Sequence, residues 1–198
     1  MLLALTPLGK VAQARRSWVV SVTAYTAGGL ISGALVAAVL GAAGSLVGAR
    51  WDEAWAAVVL VAVGLAAAAR ELGRVPLPLP QMRRATRDAW ARRWGHRRAA
   101  FAWGLDIGSF FTTWLTFAGA CWFVLVLALS GDVGRACGLM AAYWVGRAAV
   151  VWIAPLLVPD AVITPRLPVA WEGLHRPLQV LHGATVVCGV AVLVVLAA

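Results

Sequence analysis

The stretch RELGRVPLPLPQMRRATRDAWARRWGHRR, residues 70–98, decides the class of fold. It carries nine arginines (Arg70, Arg74, Arg83, Arg84, Arg87, Arg92, Arg93, Arg97, Arg98) against two acids, Glu71 and Asp88, and apolar sequence flanks it on both sides. Lys and Arg are retained on the inner face of a membrane, so the block has the character of a cytoplasmic loop between membrane spans. Its opening, Val75-Pro76-Leu77-Pro78-Leu79-Pro80, forbids helix and predicts an extended, polyproline-like strip. From Met82 to Arg98 the spacing turns helical and places Arg83, Arg87, Trp90 and Trp94 on one face. Arginine stems beside tryptophans suit a helix lying on anionic lipid head groups.

Composition points the same way. Of 198 residues, 62% are hydrophobic and 13% charged, with a mean hydropathy of +0.85. A soluble domain is about 45–50% apolar and roughly 25% charged, so lipid is the expected solvent for part of this surface. The net charge of +9 raises nucleic acid as a partner. The basic residues cluster in one loop and near the N-terminus (Lys10, Arg15, Arg16), which topology and lipid head groups explain, so no nucleic-acid partner is expected.

Working outward, residues 1–17 do not make a secretory signal, because the basic residues follow the apolar run; a short interfacial helix is expected. Trp18 to Gly48 is apolar and rich in Gly and Ser, including Gly28, Gly29, Ser32 and Gly33. It exceeds the roughly 20 residues a span needs: one long helix, tilted or broken, or a tight pair. Small residues such as Gly29 and Gly33 allow close helix approach. Gly48–Glu53 is a polar turn, and Ala54–Ala69 the next span. Beyond the loop come the run Ala99–Ser130, a turn at Gly131–Gly134, a span Arg135–Val158, a polar Pro-rich connector Pro159–Pro177, and a last span Leu178–Ala198.

The expected fold is therefore all-α: a polytopic transmembrane bundle of five or six spans in two similar halves, 18–69 and 99–198, joined by the basic loop 70–98. Five spans put the N-terminus, the basic loop and the 159–177 connector in the cytoplasm of a multi-pass plasma-membrane protein. Six would place three basic residues on the outer face.

Three stretches share a further pattern: Ala27-Gly28-Gly29-Leu30-Ile31-Ser32-Gly33; Phe101-Ala102-Trp103-Gly104-Leu105-Asp106-Ile107-Gly108-Ser109-Phe110-Phe111-Thr112-Thr113; and Gly138-Leu139-Met140-Ala141-Ala142-Tyr143-Trp144-Val145-Gly146-Arg147-Ala148. Together these resemble the transmembrane domain of the CcdA/DsbD family of thiol–disulfide membrane transporters. There a GLLS motif opens the first half, a GLxFGxGxTPC motif the second, and a GxxLLxxYxxG helix follows. The resemblance covers about two thirds of the chain. It implies a small helical repeat. The family carries one cysteine in the first helix of each half, whereas the matching positions here are Val36-Ala37 and Thr113-Trp114. The cysteines present, Cys121, Cys137 and Cys188, lie in three other places. Buried thiols of this kind serve as small apolar fillers, so thiol relay is the second alternative and not the leading expectation.

Ionisable groups inside spans are costly and mark functional candidates. Asp106, Arg147 and His182 qualify. Asp106 and Arg147 could form an ion pair with His182 near it; alternatively Asp106 and His182 sit at the interface and Arg147 snorkels. Thr112, Thr113, Ser109 and Tyr143 add hydroxyls at similar depth, for lining a path or for hydrogen bonds between helices. There is no HExxH, CxxC, P-loop or nucleophile elbow, and no enzyme activity, cofactor or metal is expected. The leading expectation is a transporter or permease-like module without thiol chemistry. The alternative is an assembly or anchoring subunit that docks a membrane or cytoplasmic partner through its arginine loop.

Overall fold

A computed structural model describes residues 15–48, 53–75, 89–110, 117–157 and 167–197. Six helices and no strand are present among the described residues: α1 (Arg15–Gly48), α2 (Glu53–Glu71), α3 (Ala89–Gly108), α4 (Gly119–Leu129), α5 (Val133–Leu157) and α6 (Leu167–Ala197). Among the described residues three stretches are long and apolar enough to cross a membrane: Ser17–Val47, Ala54–Glu71 and Val133–Ile153. The N-terminal segment 1–14, the proline strip from residue 76, and Arg83, Arg87, Thr112 and Thr113 lie outside the described residues.

The first apolar run is one helix of 34 residues. No proline interrupts it, and three of its hydroxyls are satisfied within it. Ser21, Thr23 and Thr26 donate to the carbonyls of Ser17, Val19 and Val22 at 2.9, 2.9 and 2.8 Å, as Ser and Thr do where water is scarce. Helix α2 stops for a stated reason. Gly73 takes φ 71°, Gly73 N–H donates to Arg70 O at 2.9 Å, and Arg74 N–H to Ala69 O at 2.8 Å. These are the paired bonds of a Schellman cap, which a glycine in the left-handed region completes. Helix α5 starts on a side-chain cap, with Asp132 Oδ1 accepting the Arg135 N–H at 2.6 Å.

Three expected segments need correction. The run Ala99–Ser130 is not one continuous helix. Helix α3 ends at Gly108, Phe110 adopts φ 63°, and α4 begins at Gly119. The basic surface segment and the apolar run are also joined inside one helix. Their break falls at Gly95 (φ 77°, ψ 163°), not after Arg98. The connector Pro159–Pro177 is helical from Leu167 onward, with Pro177 inside α6. A proline at the second helical position, Pro168, costs little because the first amides have no partner in the helix anyway.

The chain divides into two compact units, each drawn from three stretches: 1–36, 82–114 and 137–169 in the first; 37–81, 115–136 and 170–198 in the second. The core of unit 1 is an inward stripe on three helices. Trp18, Val22 and Tyr25 come from α1; Ala99, Ala100, Trp103 and Ile107 from α3; Trp144 and Val151 from α5. Spacings of three and four residues put each set on one face. Backbones approach closely between α1 and α3. A Cβ on Gly28 would strike the Phe101 carbonyl, one on Gly104 would strike the Tyr25 carbonyl, and one on Gly108 would come within 2.6 Å of the Gly29 carbonyl. This is small-residue helix packing of the kind membranes favour. The core of unit 2 gathers Ala67, Ala68, Ala118, Val186 and Val190. Trp122 lies between Gly64 and Gly189 and donates its indole N–H to Leu60 O at 2.9 Å. Leu35, Val39, Leu46, Val58 and Val150 face outward, each more than half exposed, an arrangement that lipid and not water would solvate.

Candidate functional site

In unit 1 the site grows from Gly29. Its missing side chain leaves the space that the Trp144 indole fills. Trp144, fully buried, donates to Thr26 O at 2.8 Å, and Trp152 donates to Thr26 Oγ1 at 3.2 Å. Tyr25 packs against Trp144 with ring centroids 5.4 Å apart. This frame holds the tyrosine hydroxyls where Arg147 reaches them. One guanidinium nitrogen donates to Tyr143 Oη at 3.1 Å, one helical turn back on α5, and the Tyr25 hydroxyl lies near enough to Arg147 to interact with it electrostatically. The Tyr143 phenol oxygen thus solvates the cation, while its ring leans on Phe110 with centroids 5.2 Å apart. Tyr25 carried no signal in the sequence beyond its ring. Asp106 is half-buried on α3 of the same unit, and its carbonyl accepts the Ser109 hydroxyl at 2.7 Å.

Also in unit 1, the break at Gly95 opens a cleft of about 440 Å³ lined by Ser17, Ser21, Trp94, His96, Arg97 and Arg98. Trp90 and Trp94, expected on one face, are stacked with centroids 5.4 Å apart. Two guanidiniums and an imidazole around a concave surface suit an anionic group.

Unit 2 holds a site that the sequence reading missed. Glu71, the last residue of α2, belongs to the buried interior and not to the loop, with its side chain at 0% exposure. Its Oε1 accepts the Ala118 N–H and pairs with Arg70 at 3.2 Å. The Ala118 amide has no partner inside α4, because it stands at the helix start. A carboxylate there meets both the bare donor and the positive end of the helix dipole. Its Oε2 is buried with no hydrogen-bond partner among the described residues. His182 comes to the same place from α6. Its Nδ1 lies 3.0 Å from where a Gly119 Cβ would stand, and its ring stacks on Phe117 at 4.4 Å. Gly183 completes the packing, 3.3 Å from the Glu71 Cβ by the same measure. An acid ending an apolar helix was the available signal.

Of the expected residues, Arg147 and Tyr143 therefore come together, Asp106 shares their unit, and His182 belongs to unit 2. Cys121, Cys137 and Cys188 are free thiols, and Cys137 Sγ lies 3.6 Å from the Ala34 carbonyl. Among the described residues no group of three His, Cys, Asp or Glu side chains could hold a metal ion. Comparison of the chain with protein-family models, curated proteins and solved structures finds no match.

Proposed function

We propose that the chain is a multi-pass protein of the cell membrane that works as a small transporter or permease-like module of CcdA/DsbD-like fold, without thiol redox chemistry. The supporting observation is that α3 ends at Gly108, with Phe110 at φ 63°, and that α4 starts at a buried carboxylate. Non-helical backbone at membrane depth is tolerated only where protein or a water-lined cavity satisfies it. Spans broken in this way, with a helix terminus turned toward a charged group, are how secondary transporters build midplane sites. On this reading the spans number five and the arginine loop is cytoplasmic.

The test needs no known substrate. In a chain with Cys121, Cys137 and Cys188 replaced by serine, a single cysteine at Ala118 is exposed to a water-soluble maleimide in right-side-out and in inverted vesicles. A transporter that alternates its access gives labelling from both faces. Labelling from one face only, or from neither, overturns the proposal.

The cleft of His96, Arg97 and Arg98 supports the second reading, an assembly or anchoring subunit that docks an anionic partner. Replacing His96, Arg97 and Arg98 together by glutamine and recovering associated proteins tests it: a partner lost with these side chains supports docking, and an unchanged set refutes it.

A further inference from the structure

We infer that Arg147 is the binding site for a long-chain carboxylate, a lipid with one hydrocarbon chain and a free anionic end. This names a ligand class for the membrane module proposed above, and it rests on that reading in placing α1 and α5 across the bilayer.

The depth of the cation comes first. Arg147 lies fourteen residues from the start of α5 and ten from its end, and it is exposed. Its level follows from the neighbouring helix. Trp152 stands against Trp18 with ring centroids 5.9 Å apart, and Trp18 comes two residues after Arg16 at the opening of α1. Arginines at a helix opening belong with the head groups. Trp152 is therefore near that level, and Arg147 is five residues, or about 7–8 Å, deeper. Its guanidinium bends deeper still, onto Tyr143 one turn back. A cation drawn to the head groups would turn the other way, so the snorkelling alternative does not describe this residue.

The surroundings leave its charge unbalanced. The groups near enough to act on it electrostatically are the phenols of Tyr25 and Tyr143. No acidic side chain pairs with it among the described residues. A neutral phenol takes one donor and no charge. A guanidinium carries five N–H donors in a rigid fork, which matches a carboxylate edge to edge. A charge without a counter-charge in hydrocarbon is costly, and one monovalent oxyanion removes the imbalance.

The surface beside the cation selects the rest of the molecule. Leu139, Tyr143, Arg147 and Val150 follow one another at spacings of four, four and three, and so share one side of α5. Leu139 and Val150 are exposed, and a Cβ on Gly146 would meet nothing within 4 Å. The result is an apolar strip with a hollow next to the cation. A hydrocarbon chain fits along it with its charged end at Arg147. A phospholipid keeps its phosphate at the head groups with its glycerol, whereas a carboxylate that ends its own chain can sit lower. A small soluble anion would gain nothing from the strip.

Photo-crosslinking to the full chain in phosphatidylcholine nanodiscs tests this, using a palmitate analogue with a diazirine in its chain and peptide mapping of the label. Labelling of α5 between Leu139 and Val150 is expected. Oleate should compete it away; methyl oleate, acetate and phosphatidylglycerol at the same concentration should not. These arms use the parent chain alone, so a misfolded variant cannot produce them. Arg147→Gln should raise the probe concentration for half-labelling roughly 10–100-fold, the worth of a charge-assisted hydrogen bond. Arg147→Lys keeps the charge without the fork and should raise it less. The inference is overturned by an α5 label that oleate does not remove, by equal competition from methyl oleate, or by unchanged labelling of Arg147→Gln. Competition by acetate or by phosphatidylglycerol also overturns it, in favour of a soluble anion or a phospholipid phosphate. Oleate-competed labelling without two-sided labelling at Ala118 would instead remove the transport reading and leave this site standing.

Discussion

Gly104→Ala against Gly146→Ala is the sharpest probe of how unit 1 is held together. Both glycines lie inside helices, α3 and α5. At Gly146 a new methyl group meets nothing within 4 Å; at Gly104 it meets the Tyr25 carbonyl and, at 2.9 Å, the Gly29 nitrogen. Alanine gains roughly 0.5–1 kcal/mol over glycine in a helix interior at either position, so the difference between the variants isolates the collision. Overpacking costs about 1–3 kcal/mol. The upper part of that range is expected here, because the opposed atoms are backbone and cannot rotate aside, and α1 must move off α3. Reversible unfolding in mixed micelles, followed by tryptophan fluorescence, measures both. Gly146→Ala should be neutral or stabilising, and Gly104→Ala should lose about 1–2 kcal/mol net of the helix gain. Equal stabilities would refute the close crossing of α1 and α3.

Other substitutions probe separate features. Trp144→Phe removes the donor to Thr26 and leaves a void over Gly29; a loss of about 2 kcal/mol is expected in the same assay, and no loss would show the indole to be poorly placed. Asp132→Ala uncaps α5 and should cost about 1 kcal/mol, with Asp132→Asn near neutral. Arg97→Gln with Arg98→Gln should reduce the rise in melting temperature that phosphatidylglycerol gives over phosphatidylcholine. About 1 M salt should erase that rise in the parent chain, and an unchanged rise in the double variant would remove the cleft as a head-group site.

Much of the helical layout is legible in the residues, because hydropathy and punctuation are local. Span 54–69 was expected and α2 runs Glu53–Glu71; the turn at Gly131–Gly134 matches the Asp132 cap. The halves on either side of the arginine loop divide the chain along its length, whereas the compact units divide it in space, and no composition signal carries that interleaving. The interruption after Gly108 escaped because apolar sequence continues through it, and hydropathy does not register a backbone angle such as that of Phe110. The early start of α6 escaped because charge and proline suggest a loop. For the site, the rule that flags charges within spans found Arg147, but its hydrogen-bond partner is the phenol of Tyr143, which carries no charge to search for. Glu71 was counted with the arginines beside it, although it lies inside the apolar helix that precedes them.

Helix α1 has one more consequence, for the bilayer itself. Its apolar stretch, Ser17–Val47, is 31 residues long, or about 46 Å at ~1.5 Å per residue. An average hydrocarbon layer is about 30 Å thick, and enclosing that length in it takes a tilt near 50°, beyond the roughly 0–40° that spans adopt. In such a layer some apolar turns of α1 protrude into the head groups. Longer acyl chains shelter more of them, so thermal stability should climb with lipid chain length. A thin membrane works against this protein, and a thick one retains it.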